Sequence, residues 1–277
     1  MHSIHARIPK NFVLEERLER YADAIESNPA GLRSSWAEAC HPLTGDGTCA
    51  YSAVRLDLGC GKGIFTCEMA RLHPDELFVG IDSEPICIAY AAQHAVESGL
   101  PNVVFAPGDA SRVTEYFSAG ELAGIYLNFP TPFPRKKEAA KRLTHADHLA
   151  DYRRVLAPDG TVRLKTDSLP LHAFSLTQVE AAGYELLWST DDTRSILPDD
   201  PATGYELRLT AKGASVYGLE AKPGPEPERV EQTVSMSLID YLPEDLSQMT
   251  YVPHGMEGTV ANLRNRQARL FGQGKRG

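Results

Sequence analysis

Three features that often reveal a protein's class are scarce in this sequence of 277 residues. The five cysteines show no C-x-x-C spacing, which argues against a zinc site or a disulfide framework and fits a reducing compartment. No run approaches the ~20 apolar residues of a membrane span, and the N-terminus lacks the apolar segment of a secretion signal. We therefore expect a cytoplasmic protein without a metal site or membrane association.

Positively charged residues are also fewer than negatively charged ones. There are 28 lysines and arginines against 37 aspartates and glutamates, so the formal net charge is −9. This excludes a generic nucleic-acid binder, and any RNA contact must come from a local basic patch. The length and the apolar fraction of 42 % suit one large α/β domain with an appendage. We divide the chain into a lead-in (1–52), a main domain (53–222) and a proline-rich linker with a tail (223–277).

What the sequence does contain is a glycine-rich turn between a strand and a helix. The residues from Asp57 to Gly63 read D-L-G-C-G-K-G, after a β-branched run and before a helical pattern that begins at Ile64. Glycines permit positive φ and close approach of a ligand, and the helix N-terminus presents free N–H groups. The spacing fits neither the dinucleotide fingerprint nor the P-loop. An acid in the end of the preceding strand, Asp57, instead suits a ligand that carries a positive amino group.

Acidic residues recur at the ends of the first three predicted strands, at Asp57, Asp82 and Asp109. An acid that ends the second strand can accept both hydroxyls of a ribose, and a polar group after the third can meet an adenine edge. The alternative for each acid is a helix N-cap at a strand–helix junction. Three such acids on successive strands favour a nucleoside-type ligand.

The remaining pattern alternates strands with helices, which predicts an α/β fold with a mostly parallel sheet. The predicted strands are 53–58, 77–82, 102–106, 121–128, 160–166, 184–188 and 216–221. The predicted helices are 11–27, 64–73, 85–99, 145–156, 171–182, one from Thr203 to Gly213, and 258–270. The last two strands are joined by a short connection, which is compatible with an antiparallel pair.

A proline-rich loop, Asn128 to Pro134, follows the fourth strand and leads into five basic residues and one acid between Arg135 and Arg142. In a doubly wound sheet this loop lies at the carboxyl edge beside the ligand. A basic run is usually a solvated face. Because this run is local and stands next to the expected reaction centre, we predict that it holds phosphate groups of RNA.

The motifs in this order resemble those of bacterial tRNA (guanine-N7)-methyltransferases. The shared motifs are D-x-G-x-G-K-G from Asp57, N-F-P-x-P-F-P-R-K-K from Asn128, K-T-D ending at Asp167, and T-x-x-E from Thr203. The resemblance covers roughly residues 53–222. It implies a Rossmann-like class I methyltransferase fold, with a mostly parallel seven-stranded sheet and helices on both faces.

The resemblance also implies ligands and roles. The cofactor is S-adenosylmethionine, with S-adenosylhomocysteine as product, and the partner is tRNA, bound through the basic run by a monomer or homodimer. The predicted cofactor-binding residues are Asp57, Gly59, Gly61, Gly63, Asp82, Ser83, Asp109, Ala110 and Asn128. The predicted substrate-binding residues are Arg135, Asp167, Thr203, Tyr205 and Glu206, with Asp167 and Glu206 as acceptors for the guanine N1–H and amino group.

Thr131 occupies the catalytic position of the resemblance, where the family has aspartate. Guanine N7 has a free lone pair and no proton to lose, so orientation supplies much of the rate and no general base is required. Threonine keeps a hydrogen-bonding oxygen and loses the charge. Three alternatives therefore stay open: a methyltransferase of the same fold with another substrate, a non-catalytic cofactor-binding protein that holds RNA or a protein, and a structural domain without ligand.

Overall fold

The computed structural model describes residues 12–43 and 49–273. Contacts divide the chain into two compact units. Among the described residues, the first unit comprises the chain up to residue 128 together with residues 150–163. The second comprises residues 129–149 and the chain from residue 164 onward. The chain therefore passes from one unit to the other after residues 128, 149 and 163.

The N-terminal helix is shorter than the predicted range of 11–27, whose first residue lies outside the described part. Helix α1 spans Leu14–Arg20, and a 3₁₀ turn follows at Ala22–Ala24. Ile25 then forms a β-bridge with Phe105, which requires an extended backbone at a position where the apolar periodicity predicts helix. Tertiary pairing overrides local propensity at this point. A further 3₁₀ turn at Pro29–Leu32 and a short helix, α2 (Trp36–Ala39), precede the sheet.

Four parallel strands make up the sheet of the first unit. They are β1 (Ala53–Leu58), β2 (Glu76–Asp82), β3 (Val103–Pro107) and β4 (Leu122–Asn128), and each agrees with its predicted range to within one residue. The connecting helices are α3 (Ile64–Leu72), α4 (Pro85–Glu97) and α5 (Val113–Tyr116). The strands are mostly apolar and buried, as expected of a parallel sheet covered on its faces.

The rest of the sheet follows the predicted order of elements, with one short helix, α8, that the sequence does not predict. The elements are α6 (Ala146–Val155), β5 (Leu156–Thr166), α7 (Leu169–Ala181), β6 (Tyr184–Thr190), α8 (Thr193–Ile196), α9 (Gly204–Thr210) and β7 (Tyr217–Pro223). Strand β5 begins four residues earlier than predicted, because the P-D-G stretch that ends at Gly160 looks like a turn but lies extended. Strands β6 and β7 pair antiparallel, which confirms that prediction, whereas the connection between them is not short, because it contains α8 and α9.

The described part of the tail is folded into the second unit. It contains 3₁₀ turns at Leu238–Tyr241 and Leu246–Gln248 and a last helix, α10 (Glu257–Gln273), which confirms the predicted helix over 258–270. Leu238, Met256 and Val260 share an apolar cluster with Leu171 and Phe174 of α7. The domain boundary at residue 223 stays a prediction.

The seven strands form one sheet in the order β3-β2-β1-β4-β5-β7-β6. This confirms the predicted fold class, a mostly parallel seven-stranded sheet of the Rossmann-like type. The order reverses between β1 and β4, and ligands of such sheets bind beyond the carboxyl ends of the strands at this reversal. Among the described residues, no helix is long and apolar enough to cross a membrane.

Candidate functional site

The glycine turn after β1 has the backbone that the sequence predicts. Gly59, Gly61 and Gly63 all have positive φ, between 55° and 78°. A Cβ on Gly63 would stand 2.6 Å from the side chains of Ala91 and Phe105, so this glycine is required for packing. Beside Gly61, by contrast, nothing lies within 4 Å. The turn therefore presents open space at its middle glycine, where a ligand can approach the backbone.

Asp57 is buried at the end of β1, with 1 % exposure. Its carboxylate accepts hydrogen bonds from the Thr66 hydroxyl, at 2.6 Å, and from the side-chain amide of Asn128, at 3.3 Å. The structure thus brings together two residues of the predicted cofactor set that lie 71 positions apart. Two neutral donors therefore hold this carboxylate in place, and a carboxylate is a suitable acceptor for a positively charged ligand group.

Asp82 is tied to the same turn. One of its carboxylate oxygens accepts the Gly61 N–H, at 2.9 Å, and the other accepts the Glu84 N–H, at 2.8 Å. Burial raises the pKa of this carboxyl group, and the two backbone donors oppose that shift. Each oxygen retains a second acceptor site. The exposed Ser83 follows directly.

Asp109 behaves as the N-cap that the sequence offered as the alternative role. Its side chain accepts from the Ser111 N–H at 2.8 Å and from the Ser111 hydroxyl at 2.6 Å, and it caps the 3₁₀ turn that begins at Ala110. The residue is exposed. Its position immediately after β3 agrees with the prediction, and its contact with a cofactor stays a prediction.

In the second unit, the proline loop holds Thr131 at the surface between two strained aromatic residues. Phe129 and Phe133 have φ of 51° and 45°, a region that residues with a side chain rarely occupy. The Phe129 N–H donates to the Lys165 carbonyl at 2.7 Å. Strain of this kind costs on the order of 1–3 kcal/mol per residue and persists only where the surroundings impose it. Thr131 itself is exposed.

Arg142 corrects one part of the sequence analysis. Arg135, Lys136, Lys137 and Lys141 are exposed, as a phosphate-binding run requires, whereas Arg142 is completely buried. It cannot contact phosphate in this conformation. The basic run that is available to a ligand therefore has four cations instead of five.

Arg142 instead fixes the proline loop from inside. Its guanidinium donates to the carbonyls of Pro132 and Phe133 at distances of 2.7–3.1 Å and lies over the Phe174 ring, 4.4 Å from the centroid. Burial lowers the pKa of Arg142 to about 10, which leaves it protonated at neutral pH. The sequence carries no local signal that separates this arginine from its exposed neighbours.

Asp167, a predicted guanine acceptor, is already engaged by the tail. Its Oδ2 accepts from the Tyr251 hydroxyl at 2.5 Å and from the His254 N–H at 3.2 Å. Burial, followed by the bond to Asp167, raises the pKa of Tyr251, so this phenol stays protonated as a donor. The sequence analysis missed both tail residues, because the tail matches no motif and its contacts span more than 80 positions.

Glu206 lies inside an ion-pair network of the second unit. Its carboxylate is 2.9 Å from Lys165 Nζ and 2.6 Å from Arg194 Nη2, and Lys165 also pairs with Asp200 at 2.9 Å. Lys165 and Glu206 are each 2 % exposed. The Thr203 hydroxyl accepts the Glu206 N–H at 3.1 Å, so the predicted capping residue begins α9. Tyr205, which lies between Thr203 and Glu206 in the sequence, packs edge-on against Phe129.

No group of three histidine, cysteine, aspartate or glutamate side chains is placed to hold a metal ion in residues 12–43 and 49–273. In the glycine turn, burial and then the nearby Asp57 and Asp82 raise the pKa of the Cys60 thiol well above its usual value, which favours the protonated form.

Comparison with known proteins bears directly on this arrangement. A family model described as a putative methyltransferase matches residues 52–219. The tRNA (guanine-N(7)-)-methyltransferase of Lactococcus lactis subsp. cremoris is 35 % identical over 75 % of this chain and 93 % of its own length. The protein of the same name from Geobacillus thermodenitrificans is 36 % identical over 76 % of this chain and 95 % of its own. The 16S rRNA methyltransferase KamB is structurally similar at a TM-score of 0.49 and 18 % identity, over 63 % of this chain and 89 % of that one.

Proposed function

Because the chain belongs to the family of bacterial tRNA (guanine-N7)-methyltransferases, we propose that it transfers a methyl group from S-adenosylmethionine to N7 of a guanine in tRNA. The observation that carries this proposal is the similarity to relatives of that name across more than nine tenths of their length. The glycine turn with its adjoining carboxylates, and the exposed cations after the proline loop, are the residues that this chemistry needs.

The first unit fits the cofactor. When bound, S-adenosylmethionine supplies an activated methyl group on a positively charged sulfur. Gly61 leaves open space at a backbone with positive φ, so it can accept a close ligand. Asp82 is oriented by two backbone N–H groups and retains acceptor capacity for two ribose hydroxyls. We assign the positive amino group to the carboxylate of Asp57, which Thr66 and Asn128 hold in place.

The second unit supplies orientation. A methyl transfer to N7 removes no proton, so the protein's task is to align the guanine, and alignment can lower the barrier by several kcal/mol. We assign this task to Asp167, which accepts from the guanine N1–H and amino group, and to the loop that holds Thr131. Thr131 offers a hydroxyl without charge, and so provides less stabilisation of the positive purine than a carboxylate does.

The four exposed cations from Arg135 to Lys141 are the phosphate contacts of this proposal. They stand on the loop and on the 3₁₀ turn Lys136–Lys141, directly after the strained segment around Thr131. Each phosphate contact makes the slope of log K against log[salt] more negative by about 0.9 at most. Replacing all four with neutral residues is expected to flatten the salt dependence of tRNA binding.

The test uses purified protein, methyl-labelled S-adenosylmethionine and total tRNA, followed by nucleoside analysis. The expected product is 7-methylguanosine in tRNA. The variant Asp82→Asn is expected to weaken cofactor binding in calorimetry, whereas Asp75→Asn, an exposed neighbour at the start of β2, serves as the matched control. A parallel reaction with total ribosomal RNA is the comparison, and label there with none in tRNA would assign a different substrate. Absence of cofactor binding to the folded protein would refute the proposal.

A further inference from the structure

The tail and helix α9 enclose a cavity that no sequence motif marks. Its volume is about 260 Å³, and it lies within the second unit. One wall comes from α9 and the residues that follow it, and the other from the segment 251–257 of the tail. The polar and aromatic side chains that line it are Tyr205, Arg208, Lys212, Tyr251, His254 and Glu257. The matched family region ends at residue 219, so the tail wall lies beyond it.

Aromatic rings in this cavity are held in fixed positions. Tyr205 packs edge-on against Phe129, with centroids 5.2 Å apart, and against His254 at 6.3 Å. Tyr251 joins the same apolar cluster, which also contains Leu209. Rings that are held in this way offer flat surfaces on which a nucleic-acid base stacks at low entropic cost.

Two cations stand at the same cavity. Arg208 and Lys212 are four residues apart at the end of α9, and both are exposed. Within the described part of the chain, neither side chain forms a hydrogen bond or an ion pair. Glu257, the one acid of the lining, is engaged by His254 Nδ1 at 3.1 Å and by the Gly255 N–H at 2.8 Å. Two exposed cations beside aromatic rings are the combination that binds a phosphate and its base.

The cavity is also linked directly to Asp167. The Tyr251 hydroxyl and the His254 N–H both donate to Asp167 Oδ2, so the tail wall is held by the carboxylate that we assign to the guanine. Two donors fill the acceptor capacity of that oxygen and leave Oδ1 for a base. A ligand in the cavity therefore lies next to the guanine-binding carboxylate.

We propose that this cavity binds a second nucleotide of the tRNA, adjacent to the methylated guanine. Its base stacks on Tyr251 and His254, and its phosphate is held by Arg208 and Lys212. The inference rests on the proposed function for the identity of the RNA, and it makes the tail a part of the substrate site.

The first experiment measures the affinity of the full-length protein for total tRNA over a range of salt concentrations. The double variant R208A/K212A is expected to bind about tenfold more weakly, with the salt slope reduced by about 0.7–0.9 for each lost contact. The control R266A/R269A removes the same charge from exposed positions of α10 in the same tail. Equal weakening by both pairs would show a general charge effect and overturn the proposed site.

The second experiment separates the ring of Tyr251 from its hydroxyl. Tyr251→Ala is expected to raise the KM for tRNA about tenfold, as loss of one stacked base does, while calorimetry shows unchanged cofactor affinity. Tyr251→Phe keeps the ring and is expected to retain most of the affinity. His254→Ala, at an exposed position, provides a second test if Tyr251→Ala fails to fold.

The outcomes distinguish the two proposals. If the wild-type protein methylates guanine N7 and all cavity variants behave like wild type, the cavity proposal fails and the function stands. If the protein binds tRNA through the cavity and forms no 7-methylguanosine, the function fails and the binding site stands. Absence of any tRNA binding overturns both.

Discussion

Substitution of Glu206 tests whether this residue serves the fold or the substrate. The resemblance assigns Glu206 to guanine, yet its carboxylate is buried between Lys165 and Arg194. We predict that Glu206→Gln destabilises the protein, because Gln has nearly the same shape and removes only the charge. The network of two cations and two anions then carries an excess positive charge in a buried place.

The magnitude follows from the burial of the partners. Removal of one member of a buried ion pair costs about 3–5 kcal/mol. Arg194 is 35 % exposed, so water screens its share of the loss, and Asp200 still neutralises Lys165 at 2.9 Å. We therefore expect the lower end, about 3 kcal/mol. For a chain of this size the melting temperature falls by roughly 2–4 °C per kcal/mol, hence by about 6–12 °C.

The assay is thermal and urea unfolding of Glu206→Gln beside Glu231→Gln, an exposed control in the same unit. The control is expected to change the stability by less than about 0.5 kcal/mol. Adding Arg194→Met to Glu206→Gln restores neutrality and is expected to recover part of the loss. An unchanged melting temperature, together with a raised KM for tRNA, would refute the structural role and return Glu206 to the guanine site.

Three further substitutions probe the turn and the loop. Arg142→Met is expected to lower the unfolding free energy by about 2–3 kcal/mol in urea titrations, since the carbonyls of Pro132 and Phe133 lose their donor. The exposed control Lys141→Met is expected to leave the unfolding free energy unchanged. Gly63→Ala is expected to cost about 2 kcal/mol or more because its Cβ meets Ala91 and Phe105, in addition to the strain of positive φ. Gly61→Ala meets no neighbour, so it is expected to cost only the backbone strain of about 1–2 kcal/mol and to weaken cofactor binding in calorimetry. Thr131→Asp is expected to raise the initial methylation rate about tenfold at unchanged cofactor affinity, and a lower rate would favour a substrate other than guanine N7.

Much of the first unit is readable from sequence because its signals are local. The alternation of apolar runs with helical periodicity predicts β1 to β4 to within one residue of their ends. The glycine turn is equally local, since the need for positive φ at Gly59, Gly61 and Gly63 leaves few other residues possible. Parallel strands end at one edge, so Asp57 and Asp82 meet at the turn without any further information.

The second unit depends on contacts between residues distant in sequence. The pattern of charges from Arg135 to Arg142 does not show which cation is buried, because that is decided by Phe174, thirty-two positions later. The T-x-x-E motif predicts the start of α9 correctly. It does not show that the Glu206 carboxylate forms a buried ion pair with Lys165, a residue of β5. The engagement of Asp167 by Tyr251 spans 84 positions and arises only because the tail packs on α7. Burial and charge pairing depend on which distant residues pack together in the folded chain, and local periodicity does not indicate these contacts.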